Sequence, residues 1–107
     1  MSSESDFDRL VHDLLTEPGV ETGTGFGKTA GLRVDGKIFV MLMGDGLVLK
    51  LPAERCAELR STGWAESLRI GKREMREWVT VPGDGPYDWK QLADEALSFV
   101  RATASAR

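Results

Sequence analysis

The chain has 107 residues, 41% of them apolar and 29% charged, with a formal net charge of −3. A chain this long can bury one modest core without metals or disulfides and has no room for a second domain. Its longest apolar run, Ile38 to Met43, is far too short to cross a bilayer, and the single Cys56 cannot close an intramolecular disulfide. The N-terminus, Met1-Ser-Ser-Glu-Ser-Asp6, is polar and acidic, unlike a secretory leader, so a cytoplasmic location is expected. Charge is uneven along the chain. Residues 1–24 carry six acids and one base, whereas residues 25–81 carry ten bases and seven acids. The middle is mildly basic, which restricts any attraction to nucleic acid to a local strip.

Phe7, Leu10, Val11, Leu14 and Leu15 recur at helical spacing and predict a first helix over about Asp6–Glu17. Ser5 would cap it, Asp6 and Asp8 suit the positive end of its dipole, and Pro18-Gly19 would stop it. Val20–Thr24 reads as a short strand, followed by a glycine-rich loop around Phe26. The period then changes to two. Gly31–Val34 and Lys37–Met43 flank Asp35-Gly36, a two-residue type I′ hairpin signal in which both turn positions tolerate positive φ.

In Lys37–Met43, strict alternation puts Ile38, Val40 and Leu42 on one face and Phe39, Met41 and Met43 on the other. Both faces are apolar, so this strand is expected to be central and covered on both sides. Gly44-Asp-Gly46 turns the chain into Leu47–Leu51, where Val48 and Lys50 share the face opposite Leu47, Leu49 and Leu51. Pro52 opens a short helix that Gly63 ends, with a thin apolar stripe of Ala53, Cys56, Ala57 and Leu59. Cys56 reads as a small core residue. Trp64–Gly71 is expected to be a connector, with room for a short extended piece, and Glu77–Val81 the last strand. After the Pro82–Pro86 loop, Asp88 with Gln91 at capping-box spacing starts a closing helix that buries Trp89, Leu92, Ala93, Ala96, Phe99 and Val100.

The expected fold is therefore α+β: one compact domain over residues 1–107, ordered from about 5 to 102, with an antiparallel sheet of four to five strands packed with three helices. The element order is helix, three or four strands, helix, strand, helix.

Few chemical motifs survive inspection. Gly23-Thr-Gly-Phe-Gly-Lys28-Thr29 resembles a phosphate loop at its end, but Thr22 stands where the motif needs glycine, and a strand pattern follows where a helix should. His12 is the only histidine and adjoins Asp13 on the first helix, which leaves no zinc spacing and no catalytic pairing with Cys56. No catalytic residue, metal site or cofactor is expected, and the chain is read as a non-enzyme.

Two surfaces and one loop remain. Phe39, Met41, Met43 and Val48 form a second apolar set on the sheet that needs a cover, from the chain's own helices or from a protein partner or second copy. Intramolecular cover is the first expectation. Arg69, Lys72, Arg73 and Arg76 form a basic strip next to Trp78 that could contact nucleic-acid phosphates, although Glu74 and Glu77 temper it and a solvated loop is the plainer reading. Phe26 and Lys28 mark a loop near a possible ligand, and Phe26, Trp64 and Trp78 could wall a small-molecule pocket.

Phe26-Gly-Lys28, Gly31-Leu-Arg-Val-Asp-Gly-Lys-Ile-Phe-Val-Met-Leu42, Gly46-Leu-Val-Leu-Lys-Leu51, Gly63 and Met75-Arg-Glu-Trp-Val-Thr-Val-Pro82 together resemble the N-terminal domain of the TfoX/Sxy competence regulators and the related MmcQ/YjbR-like proteins. The match spans roughly Phe26 to Val100. It implies a compact α+β fold and, for TfoX members, a part in controlling DNA-uptake genes. Full competence regulators carry a second, C-terminal domain, which the resemblance does not cover. Where the family often has Phe-Gly-Gly and an aromatic, this chain has Phe26-Gly-Lys-Thr29. The function expected from these observations is a cytoplasmic regulatory module acting through protein contacts, with direct nucleic-acid binding as the alternative and a small-molecule pocket third.

Overall fold

A computed structural model of the chain describes residues 3–24, 30–43, 46–83 and 88–105. Helix α1 spans Ser3–Leu14, three residues earlier at each end than its apolar period suggests. It closes early because the Thr16 hydroxyl and N–H both donate to the Asp13 carbonyl, at 2.7 and 3.4 Å, a local bond that competes with the next helical turn. Six strands follow in the pattern β1 Val20–Thr24, β2 Ala30–Val34, β3 Lys37–Met43, β4 Gly46–Lys50, then β5 Glu66–Ile70 and β6 Arg73–Pro82 after helix α2, Ala53–Ser61. Helix α3, Trp89–Ser105, ends the described chain.

The strands form one antiparallel sheet in the order β1-β2-β3-β4-β6-β5. Val34 pairs with Lys37 across Asp35 and Gly36, whose φ values of 52° and 82° make the type I′ turn that the dipeptide signals. The sheet has one strand more than the upper expectation. Glu66–Ile70, expected as a connector, instead pairs with the front half of a lengthened β6 through a tight turn at Gly71, φ 63°.

The helices gather on one face. There Phe7, Leu10 and Leu14 of α1, Cys56 and Leu59 of α2, and Leu92, Ala96 and Val100 of α3 close over Leu32, Val40, Leu49 and Val79 of the sheet. Such burial of apolar surface stabilises by roughly 25 cal/mol per Å² and is the main force holding the layers together. Polar ties fix the angles: Trp89 Nε1 donates to the Pro82 carbonyl at 3.3 Å, and Arg101 Nη2 donates to the Pro18 carbonyl at 2.8 Å. The Asp88 carboxylate accepts from the Lys90 N–H at 2.9 Å, as expected of a helix cap. Gly63, φ 84°, follows α2 and donates its N–H to the Arg60 carbonyl, which ends that helix as anticipated.

The opposite face carries a second, smaller cluster made of strand side chains alone: Met41, Val48, Leu68 and Trp78 are buried there, with Ile38 and Met75 half-buried against them. Two bulges bring this about. Leu32 pairs with Val40 and Arg33 with Ile38, so Phe39 is an extra residue in β3. Ser67 pairs with Val79 but Leu68 with Met75, so Arg76, Glu77 and Trp78 of β6 lie opposite a single step of β5. Bulges bend and twist the strand that carries them. The second bulge turns the β5–β6 hairpin so that Leu68, Met75 and Trp78 reach across the far face.

Among the described residues, no helix is long and apolar enough to cross a membrane.

Candidate functional site

The expected apolar partner set separates into three environments. Phe39 is fully buried in the helix-side core, because the β3 bulge places it on the same side as Val40 rather than with Met41. This corrects the face that simple alternation assigns it. Met41 and Val48 do lie on the far face, paired directly across β3 and β4, but Trp78 and Leu68 cover them. The cover is thus intramolecular, and it comes from a hairpin rather than from helices. Met43 alone stays open, at 40% exposure.

The basic strip proves to be a β-ribbon. Arg69, Lys72, Arg73 and Arg76 are all exposed along the β5–β6 hairpin, beyond the part of β6 that pairs with β4. Cross-strand register sorts them. Arg69 lies opposite Glu74 and pairs with it at 3.6 Å, and Ser67 Oγ also donates to Glu74 at 3.1 Å. Arg73 lies opposite Ile70, one residue on, and so faces the same side as Leu68 and Met75.

At the root of the hairpin is a cleft of about 350 Å³, bordered by Lys50, Arg73, Glu74, Met75, Arg76, Glu77 and Trp78. Lys50 is paired across the sheet with Trp78, and its Nζ lies 5.8 Å from the centre of the indole ring, within cation–π range. Trp78 is itself only 4% exposed, so the ring forms a floor. Among the described residues, Lys50, Arg73 and Arg76 make no ion pair. Of the two acids on the cleft's border, Glu74 is engaged by Ser67 and Arg69. Three cations thus border one concave surface, with Glu77 beside them.

Lys50 is the member that sequence patterning does not single out. Its parity with Val48 is visible in the sequence, but its approach to Trp78 depends on pairing β4 with a strand about thirty residues later in the chain.

A model of the YjbR family matches residues 15–96. The chain belongs to the YjbR family. The YjbR match takes in all six strands, α2 and the first half of α3, and therefore the whole cleft, while α1 lies before it. No curated protein and no solved structure matches the chain.

Other expected features are dispersed or lie elsewhere. Phe26 and Lys28 fall outside the described residues. Trp64 is 48% exposed after α2 whereas Trp78 is buried, so these two rings do not share one environment. Cys56 is buried beneath α2, its Sγ 3.6 Å from the Leu51 carbonyl, and burial pushes its thiol pKa up. A buried thiol held in its neutral form is a poor nucleophile. His12 is exposed in the last turn of α1, and no group of three or more metal-ligating side chains is gathered among the described residues.

Proposed function

We propose that this YjbR-family protein is a non-catalytic nucleic-acid-binding module, working in a regulatory setting, whose contact surface is the β5–β6 hairpin and the cleft at its root. The observation that carries this reading is that Lys50 of β4 and Arg73 and Arg76 of β6 border one cleft at the root of the exposed β5–β6 ribbon, with Lys72 at its turn. A two-stranded ribbon is narrow enough to enter a major groove about 12 Å wide, and its cations would then lie against the flanking phosphates. The resemblance to competence regulators supports a regulatory setting. The apolar route to a protein partner is narrower than the sequence suggests, since Phe39, Met41 and Val48 are enclosed by the chain itself and only Met43 stays open.

The test is a fluorescence-anisotropy titration of a short DNA duplex at several salt concentrations. With about four phosphate contacts, affinity is expected to fall by roughly 10²-fold between 50 and 200 mM salt, the log–log slope being about −0.9 per contact. Replacing Lys72 and Arg73 together by alanine should reduce that slope by nearly two. Absence of binding at the lowest salt, or a slope indifferent to both substitutions, would remove the proposal. A concentration-dependent dimer in size-exclusion chromatography, joined to absent DNA binding, would return the balance to protein contact.

A further inference from the structure

Resting on the nucleic-acid reading above, we infer that the cleft beneath the hairpin is a seat for the phosphodiester backbone and excludes bases, with Trp78 serving as the support of Lys50 rather than as a stacking platform. An aromatic side chain beside cations commonly suggests base stacking, which requires an open ring face. Trp78 offers none. Its indole is 4% exposed, packed among Met41, Val48 and Leu68, and Lys50 extends over it. A base could stack there only by displacing the ammonium and opening the far-face cluster.

Lys50 gains from the same arrangement. The ring face attracts its ammonium and limits the rotamers of a side chain that is otherwise freely mobile, so the charge is held over the cleft before any ligand arrives. Arg73 and Arg76 border the same cleft, and their planar donor forks suit the paired oxygens of a phosphodiester. Of the acids on the rim, Glu74 is already held by Ser67 and Arg69, which leaves Glu77 alone beside three cations. A space of about 350 Å³ takes a phosphate with its flanking sugar atoms. Recognition in this cleft therefore reads charge and backbone spacing and is blind to base identity.

The experiment compares two single strands of equal length, one carrying bases and one abasic throughout, bound to the full chain and to Lys50→Gln and Lys50→Arg. The expected result is that the abasic strand binds within about threefold of the base-bearing one, whereas even one stacked base would separate them by roughly 5- to 150-fold. Lys50→Gln should flatten the log–log salt slope by about 0.7, the single-strand value per phosphate contact, and Lys50→Arg should restore it. A large preference for the base-bearing strand, accompanied by quenching of tryptophan emission that the abasic strand does not cause, would overturn the inference while leaving nucleic-acid binding intact. An unchanged slope in Lys50→Gln would overturn it as well. If neither strand nor duplex binds at low salt, the underlying functional reading fails first and this one with it. The strand comparison uses the unaltered chain, so the inference stays testable even if a Lys50 variant folds poorly.

Discussion

Arg55 on α2 grips the Glu95 carboxylate on α3 with two hydrogen bonds, Nε to Oε1 at 2.9 Å and Nη2 to Oε2 at 3.2 Å. This is a two-pronged contact between helices forty residues apart in sequence, and the hydrogen bond to Glu95 is the main reason the Arg55 pKa is raised, with burial opposing it. Water still reaches both side chains, which retain 33% and 35% of their exposure, so the pair is worth much less than its geometry alone suggests. Glu95→Gln is expected to cost about 0.5–1 kcal/mol in urea denaturation, and most of that cost should vanish near 1 M salt. A loss of several kcal/mol, unchanged by salt, would show that the two helices depend on this ion pair far more than its exposure allows.

Two glycines separate steric from torsional cost. At Gly31, on β2, an added Cβ would lie 2.5 Å from the Val40 carbonyl oxygen and 2.7 Å from Ile38 Cδ1. The backbone oxygen cannot move without breaking strand pairing, so Gly31→Ala should destabilise by about 2–3 kcal/mol or more. Gly36 has nothing within 4 Å of the same position but sits at φ 82°, where only the left-handed backbone resists a side chain. Gly36→Ala should cost about 1 kcal/mol, and Gly36→Asn less, because asparagine tolerates this region better. Equal losses at Gly31 and Gly36 in thermal or chemical melts would contradict the close packing of β2 against β3.

Cys56 links stability to alkaline pH. Burial raises its thiol pKa in the folded chain, with the hydrogen bond to the Leu51 carbonyl and the Arg60 charge opposing the shift and the Glu77 charge adding to it. The unfolded thiol ionises near pH 8.5, while the folded one keeps its proton to higher pH. Above the unfolded value the native state therefore holds more protons than the unfolded state, and raising the pH favours unfolding. This contribution is fully present below about pH 8.5 and is lost as pH climbs toward the folded pKa, at up to about 1.4 kcal/mol per pH unit. Comparing the parent chain with Cys56→Ala between pH 8 and pH 10 should reveal a shallower decline in the variant; parallel declines would mean the thiol is not desolvated.

Turn chemistry made most of the sheet legible in the sequence. Asp35-Gly36 fixes the β2–β3 hairpin, and the unbroken apolar run from Ile38 to Met43 marks an interior strand. The β5–β6 hairpin was harder to see because Glu66, Ser67 and Arg69 dilute the strand pattern of Leu68 and Ile70. Its signal was Gly71 followed by Lys72, a Gly-X pair suited to a two-residue turn, with Ile70 and Arg73 closing the ladder around it. The site was legible only as a list of cations. Which of them border one cleft follows from the register of β6 against both neighbours and from a three-residue bulge, and neither leaves a periodic trace.

The β3 bulge makes its own prediction, since it moves one aromatic side chain from one layer to the other. Phe39 is fully enclosed with the helices, whereas Met43, four positions later and on the same face by simple alternation, remains 40% exposed on the far side of the sheet. Phe39→Ala should therefore cost about 3–5 kcal/mol through lost burial and the cavity left behind, while Met43→Ala should stay within about 0.5 kcal/mol of the parent. Leucine at position 39 should recover part of the loss, because the helix-side core needs volume there more than an aromatic ring. If Phe39→Ala and Met43→Ala melted alike, the strand would alternate without a bulge. The far face would then carry an exposed phenylalanine, reopening the apolar docking surface that the observed register closes.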